Sequence, residues 1–152
     1  IRSQTARRLL GKVGFVVGGS CWWDLRLPVP PKYAEEQERL RDMLRQAPAH
    51  LAQMLSVPVV HASHAGDFEG LTPGKESVRY ISRYLGESQI TDGNGQVLAR
   101  MTYEDGEGVI IADITPGQVA GSLAPIPDNF WTRELPPGAT KAPWQTVSCS
   151  PR

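Results

Sequence analysis

The chain has 152 residues and no formal net charge, with 16 Lys and Arg against 16 Asp and Glu. This balance gives no sign of a nucleic-acid or anionic-membrane partner, and no apolar run reaches the roughly 18 residues that a membrane span needs. Two cysteines, Cys21 and Cys149, are too few for a disulfide framework and favour a reducing compartment. We therefore expect one cytoplasmic domain with a core of its own, with no nucleic acid or membrane as partner.

The first elements predicted are a helix and a buried strand. Residues 2–10 place apolar side chains on one side, and Gly11 follows at the position of a helix C-cap. Residues 13–18 then form a short apolar strand that ends in two glycines. The chain begins at Ile1, within the predicted helix, which leads us to expect a fragment of a longer protein.

Three conspicuous side chains follow this strand. Cys21, Trp22 and Trp23 come directly after it, and α/β proteins bind ligands at the carboxyl ends of their strands. The alternative is that Cys21 and both Trp residues belong to the core, where these residue types are common; for the two Trp, one in the core and one on a pocket wall is an equally good interpretation. Residues 25–32 contain three prolines and are expected to form an extended loop.

A helix and a second strand come next. Residues 33–47 carry Leu and Met at helical spacing, Pro48 should break or kink the helix, and residues 49–55 add further turns. Residues 57–66 form a strand and its exit, with His61 and His64 three positions apart. Residues three apart in a strand point to opposite faces, and no third ligand is near, so no metal site is expected. One histidine could instead be an ordinary buried residue. Residues 67–78, rich in Gly and charge, are expected to be a loop.

Residues 84–114 predict an antiparallel meander with one face on a core. Asp-Gly-Asn-Gly at 92–95 favours a tight hairpin turn between strands at 88–90 and 97–101. Residues 104–108 make a second polar break. The apolar, β-branched run 109–114 should then be a buried strand.

The meander resembles the last hairpin of the carbon–nitrogen hydrolase (nitrilase/amidase) superfamily, although a generic hairpin would share part of the pattern. The matching residues are Gly86, Ser88, Ile90, Asp92, Gly95, Val97, Leu98, Ala99, Glu107, Gly108, Ala112, Asp113 and Ile114. The resemblance extends in the right order over nearly all of residues 1–115.

The superfamily's nucleophile motif can be placed in two registers. Residues 11–28 imitate it around Cys21, with one extra Trp. However, only one helix is predicted between Asp24 and the strand at Val57, whereas the family has helix, strand and helix there. A family subset with Cys-Trp-Glu before a helix matches residues 5–9, and its Gly-Gly-Ser-Cys-Trp-Trp segment matches residues 18–23. We therefore favour a nucleophile just upstream of Ile1.

The resemblance implies an α+β fold, the C-terminal part of an α-β-β-α sandwich that becomes four-layered in a homo-oligomer. Residues 1–115 would be the C-terminal half of the domain, and residues 116–152 a Pro-rich extension anchored by its aromatic residues. The family cleaves a non-peptide C–N bond of an amide or nitrile through a Cys thioester, with a Glu base and an assisting Lys. All three catalytic residues would precede Ile1, so this chain alone should be inactive and its missing N-terminal half is its expected partner.

For the part present here, the resemblance implies substrate contacts rather than catalytic residues. The expected substrate-binding residues are Cys21, Trp22, Trp23, His61, His64, Glu87 and Ser88, with no metal and no cofactor. Two alternatives remain: a non-enzymatic α/β interaction module, and a thiol hydrolase that uses Cys21 with His61 or His64 as base.

Overall fold

The computed structural model describes residues 3–25, 31–72, 75–120 and 124–128. Within these ranges the elements are α1 (Ser3–Leu9), β1 (Val16–Ser20), β2 (Trp23–Leu25), α2 (Pro31–Leu55), β3 (Val59–Ser63), β4 (Asp67–Thr72), β5 (Lys75–Tyr84), β6 (Ser88–Thr91) and β7 (Val97–Met101). The predicted mixed α+β character is confirmed. No helix in the described part is long and apolar enough to cross a membrane.

The larger sheet has the order β1-β3-β6-β7. β1 and β3 are parallel, with Val16 opposite Val59 and Ser20 opposite Ser63. β6 is antiparallel to both of its neighbours, β3 and β7. Because parallel strands need a long crossover connection, the chain passes through α2 between β1 and β3. The carboxyl ends of these two strands consequently meet at one edge of the sheet.

The helices pack on one face of this sheet. The buried cluster there combines Ala6 from α1, Leu51, Ala52 and Leu55 from α2, Val57 just before β3, and Val59 at the start of β3. α2 continues through Pro48 to Leu55, so the turns predicted after Pro48 belong to the same helix. Leu51 and Leu55 are one helical turn apart and are almost fully buried, which explains why this face of α2 meets the sheet.

The smaller sheet is antiparallel, with β5 between β2 and β4. The prediction of a loop over residues 67–78 is wrong, because these residues form β4 and the start of β5. Gly70 is not a turn residue: it lies against the ring of Tyr80, the residue opposite it, where a Cβ atom would come within 2.4 Å of the ring. The charged residues of the segment pair across the strands, as Arg79 does with Glu69 at 3.5 Å.

Two other strand predictions need correction. β1 begins at Val16 rather than at Val13, because Val13 packs against the core cluster before pairing with β3 starts. The buried strand predicted at residues 109–114 is wrong: these residues form no strand, and Val109 and Ile111 are 86% and 87% exposed. An apolar, β-branched run indicates a preference for pairing, but the described residues offer it no strand partner.

The described part of the tail lies along the helices. Val119 N–H donates to the Ser56 carbonyl at 2.9 Å, and Ala124 N–H donates to the Gln53 carbonyl at 3.2 Å. Ile126 packs against the core cluster. The aromatic anchors predicted at Phe130, Trp131 and Trp144 lie outside the described residues, as do residues 26–30 of the predicted proline-rich loop.

The tight turn between β6 and β7 is confirmed. The Asp92 carboxylate accepts the backbone N–H groups of Asn94 at 2.9 Å and Gln96 at 2.8 Å. Gly95 has a φ angle of +83° and lies against α2, where an added Cβ would come 2.8 Å from the Ala49 carbonyl oxygen. The turn is therefore fixed both by its own hydrogen bonds and by the helix beneath it.

Gly95→Ala is expected to destabilise the protein more than Gly106→Ala. Gly106 also has a positive φ, +74°, but an added Cβ would meet nothing within 4 Å. Gly106→Ala should therefore cost only the conformational penalty of about 1–2 kcal/mol. Gly95→Ala adds the clash with α2. Urea unfolding of both variants measures the difference, and equal losses would show that the turn does not rest on the helix.

Candidate functional site

The parallel strands bring two chain segments together at what we call the carboxyl edge: residues 20–22 at the end of β1 and residues 63–65 at the end of β3. Ser20 Oγ and Ser63 Oγ are 3.0 Å apart. The Ser20 carbonyl accepts the backbone N–H of His64 at 3.1 Å, and His64 Nδ1 lies 3.1 Å from the same oxygen. The next residues after the Ser20–Ser63 pair are Cys21 and His64, and Cys21 is exposed.

A third segment closes this edge between β5 and β6. Leu85 N–H donates to the Trp22 carbonyl at 2.9 Å, and Gly86 N–H donates to the His64 carbonyl at 3.1 Å. Ser88 Oγ then accepts the Ser63 N–H at 3.0 Å. The carboxyl edge is thus lined by hydroxyls from three strands beside one thiol and one imidazole.

The hydrogen bonds of His64 define what its ring offers. A carbonyl oxygen can only accept, so Nδ1 must carry the hydrogen in its contact with Ser20. Nε2 of the neutral ring is then left with its lone pair, as an acceptor or a base. The ring also packs on Tyr84, with centroids 5.1 Å apart. His64 is therefore held in one orientation although it is exposed.

Trp23 belongs to a different surface from Cys21 and Trp22. It lies on β2, where its ring stacks on Tyr80 at 5.7 Å and meets Phe68 edge-on at 5.9 Å. Phe68 in turn stacks on Tyr84 at 4.4 Å. These four rings cover one face of the smaller sheet, and Tyr84 joins this aromatic face to His64 at the carboxyl edge.

Glu87 turns away from the carboxyl edge. Its φ angle of +68° follows a φ of +66° at Gly86, and this left-handed pair directs the side chain toward α2. The carboxylate is only 3% exposed and lies 2.6 Å from Arg100 and 3.3 Å from Arg45. It is therefore a buried ion-pair partner, and the structure does not place it among the groups at the edge.

His61 also lies away from the edge. It sits opposite Gln89 on β6, and both side chains belong to the sheet face that α2 covers. Burial lowers the pKa of His61, although a hydrogen bond with the Glu87 backbone opposes this. Within the described ranges no group of three His, Cys, Asp or Glu side chains could hold a metal ion.

Acidification is expected to weaken folding through His61. The neutral ring is favoured in the folded state, because its pKa lies below the ordinary value of 6.5. The stability it contributes is therefore present above pH 6.5 and is lost as the pH falls through the lowered folded pKa. Urea midpoints measured across this range should fall less steeply for His61→Gln than for the wild type. Parallel slopes would mean that His61 is not the titrating group.

Sequence reasoning predicted part of this site and missed part. Cys21, Trp22, His64 and Ser88 all lie at the carboxyl edge, whereas Trp23, His61 and Glu87 do not. The hydroxyl pair Ser20 and Ser63, and Tyr84, were not predicted. The only signal for the pair was that Ser20 follows the first predicted strand and Ser63 lies within the second predicted strand and its exit, and the meaning of this signal depends on the parallel register.

Comparison with known proteins bears on the fold. No protein-family profile and no curated protein sequence matches the chain. A solved structure that does resemble it is a carbon–nitrogen hydrolase from Helicobacter pylori G27, with a TM-score of 0.51 and 17% sequence identity. The fold is similar to that of a carbon–nitrogen hydrolase. The match covers 74% of this chain but 36% of the hydrolase, so the chain corresponds to a minor part of that protein's length.

Proposed function

We propose that this chain is the C-terminal half of a carbon–nitrogen hydrolase that cleaves the non-peptide C–N bond of a small amide or nitrile. The observation that carries the proposal is the carboxyl edge. Within a fold similar to such a hydrolase, it gathers the Ser20 and Ser63 hydroxyls and the Nε2 lone pair of His64 beside Cys21. These groups can hydrogen-bond a small polar substrate, and the Tyr84 ring, packed on His64, supplies apolar surface next to them, with the backbone of Trp22 at the same edge.

The reaction needs groups that this half does not provide. A Cys thiolate attacks the amide carbonyl, the tetrahedral intermediate expels ammonia as a Glu carboxyl group donates a proton, and a thioester remains. Water then attacks the thioester as it gives a proton back to the Glu, and the carboxylic acid and the Cys thiolate are released. A Lys and N–H donors stabilise the oxyanion. In this proposal the Cys, Glu and Lys lie upstream of Ile1, and residues 20–22, 63–65 and 84–88 form a pocket wall without a metal or cofactor.

The missing half would cover the second face of the larger sheet. Val16 packs toward the helices, so Val17 points to the opposite face, where it is 68% exposed. A second sheet packed on that face would complete the α-β-β-α sandwich, and dimerisation would make it four-layered. Residues 116–152 would then serve as an extension that reaches a partner subunit.

The proposal is tested by comparing two lengths of the protein. The coding sequence extended upstream of Ile1 should encode a Cys within about five residues, as the family resemblance implies. The extended protein should release ammonia from a panel of short amides and nitriles, whereas residues 1–152 alone should not. An extended protein that has no Cys within ten residues of Ile1, or that releases no ammonia from the panel, would contradict the proposal.

A second candidate is a hydrolase that uses Cys21 itself. The observation in its favour is that Ser20 fixes His64 with Nε2 as the lone-pair nitrogen, while Cys21 is exposed and lies at the same end of the parallel pair. This candidate predicts fast alkylation of Cys21 by iodoacetamide at neutral pH, slowed strongly by His64→Ala. Equal alkylation rates in the wild type and the variant would exclude it.

A further inference from the structure

Two arginine side chains meet at the ring of Tyr103, which follows β7. The guanidinium carbon of Arg83, Cζ, lies 4.1 Å from the centre of the ring, and Arg41 Cζ lies 5.2 Å from it. Both distances fall within the roughly 6 Å over which a guanidinium group is attracted to the face of an aromatic ring. Arg83 Nη2 also donates to the Tyr103 carbonyl at 3.1 Å. Tyr103 therefore holds Arg83 at two points, through its ring and through its backbone.

The two arginines come from different parts of the fold. Arg41 lies on α2, and Arg83 lies on β5 of the smaller sheet. Arg41 Nε donates to Asp24 Oδ2 at 2.9 Å, and Asp24 on β2 stands opposite Arg83. Asp67 adds a carboxylate 3.8 Å from Arg83 Nε, so that each cation has an acidic partner. This network of side chains joins the smaller sheet to α2 and to the segment that follows β7.

The position of Tyr103 is set by its own segment of the chain. The Asp105 carboxylate accepts the backbone N–H of Thr102 at 2.6 Å and the Thr102 hydroxyl at 2.9 Å. Asp105 N–H donates in return to the Thr102 carbonyl at 3.3 Å. These three hydrogen bonds close a turn around Tyr103 by local contacts alone. Tyr103 is thus the fixed partner, and the long side chain of Arg83, which has many rotamers of its own, is the partner that becomes ordered.

Arg83 is adjacent in sequence to a residue that reaches the carboxyl edge. Successive side chains of a strand point to opposite faces, so Arg83 faces Tyr103 while Tyr84 faces the other way. Tyr84 N–H donates to the Gly66 carbonyl at 2.9 Å, and the Tyr84 ring packs on His64 with centroids 5.1 Å apart. A contact that fixes Arg83 consequently bears on the ring against which His64 rests.

We propose that Tyr103 is a positioning residue for His64 and acts through Arg83 and Tyr84. By holding Arg83, Tyr103 fixes the end of β5, and with it the Tyr84 ring that supports the imidazole at the carboxyl edge. The alternative is that the contacts of Tyr103 add only to stability, in which case their loss would leave the His64 ring where it is. The value of this positioning for a substrate rests on the proposed function, whereas the positioning itself does not.

The test is NMR of the His64 ring in the 152-residue chain, because ring currents make its resonances sensitive to the position of the Tyr84 ring. Tyr103→Leu removes the aromatic face but keeps the carbonyl, and it should shift the His64 resonances toward those of Tyr84→Leu, in which the neighbouring ring is absent. Tyr103→Phe keeps the ring and should leave the resonances at their wild-type values. A folded Tyr103→Leu protein with wild-type His64 resonances would overturn the proposal.

Arginine variants supply a matched control. Arg83→Leu removes the cation that Tyr103 holds, and it should shift the His64 resonances in the same direction as Tyr103→Leu does. Arg79→Leu changes the same face of β5 at a position whose ion pair is exposed, and it should leave the resonances unchanged. Equal shifts for Arg83→Leu and Arg79→Leu would mean that any change on this face disturbs His64, and would refute the specific role of Tyr103.

A fluorinated phenylalanine in place of Tyr103 covers the case in which the leucine variants fail to fold. Fluorine keeps the shape of the ring but weakens the negative charge of its face, which is the property that attracts a guanidinium group. We expect a smaller shift of the His64 resonances in the same direction, measured against Tyr103→Phe. Identical spectra for the two proteins would show that attraction between the ring and Arg83 does not position His64.

Kinetics of the extended protein separate this proposal from the proposed function. In an active extended protein, Tyr103→Leu should raise KM severalfold with little change in kcat, because His64 then binds the substrate less well, and Tyr103→Phe should keep the wild-type KM. An unchanged KM in Tyr103→Leu would contradict the positioning role. An extended protein without activity would contradict the proposed function alone, since the NMR shifts decide the positioning of His64 in either case.

Discussion

Glu87→Ala is expected to lower the free energy of unfolding by about 3 kcal/mol, which is the cost of removing one partner from a buried ion pair. The Glu87 side chain is 3% exposed, and its two oxygens lie 2.6 Å from Arg100 Nη2 and 3.3 Å from Arg45 Nε. Without the carboxylate, the guanidinium groups of Arg45 on α2 and Arg100 on β7 are left near each other, although Arg45 keeps Asp42 as a partner at 2.8 Å. Each is about one third exposed, so partial rehydration should keep the loss near the lower end of the 3–5 kcal/mol range.

Two variants control for this effect. Glu87→Gln keeps the shape and one acceptor but removes the charge, so its loss should be intermediate. Glu69→Ala removes the partner of Arg79 from a pair whose side chains are 62% and 78% exposed, and should cost no more than about 1 kcal/mol. Urea unfolding of the three variants gives the order. A loss for Glu87→Ala no larger than that for Glu69→Ala would show that burial does not make this ion pair important.

The elements predicted correctly from sequence are those specified by local signals. The spacing of Leu and Met along residues 33–47 predicts α2, because helical periodicity is a property of neighbouring turns. Asp92 and Gly95 predict the β6–β7 turn, because the turn is closed by the Asp92 side chain within the same five residues. Nothing distant is needed to form either element.

The predictions that failed depend on distant contacts. Gly70 is read as a loop residue until Tyr80 on the neighbouring strand is known to lie over it. The run at residues 109–114 has the composition of a buried strand, but burial needs a second surface, and the described residues leave Val109 and Ile111 exposed. Composition gives the preference of a segment, whereas pairing decides whether that preference is met.

The candidate site shows the same division. The positions where β1 and β3 end could be predicted approximately from the sequence, since polar residues follow each apolar run. Which side chains reach the edge depends on register and backbone conformation. His61 lies on the same face of β3 as Ser63 but two residues before the end of the strand, and the left-handed φ at Glu87 sends its carboxylate toward Arg45 and Arg100. Neither placement can be read from residue type.

Under the proposed function, Cys21→Ala is expected to leave most of the activity of an extended protein, whereas alanine at the proposed upstream Cys should abolish it. No covalent intermediate forms without the nucleophile, so the upstream variant should lose several orders of magnitude in kcat. A nucleophilic thiolate is stabilised by the positive end of a helix that begins beside it. Cys21 is followed by strand β2 and not by a helix, so its thiol does not have this stabilisation. Replacing the Cys21 thiol should therefore lower kcat/KM by less than about tenfold, mainly by raising KM.

His64→Gln separates the two registers further. If His64 only binds substrate, the variant should raise KM with little change in kcat, because uniform binding is lost. If His64 is the base for Cys21, kcat should collapse for His64→Gln and Cys21→Ala alike, since the residues of a nucleophile–base pair act as a unit. Steady-state kinetics of both variants, with circular dichroism to confirm folding, give the answer. Loss of covalent labelling by a substrate analogue in a folded Cys21→Ala protein would place the nucleophile at Cys21 and refute the upstream register.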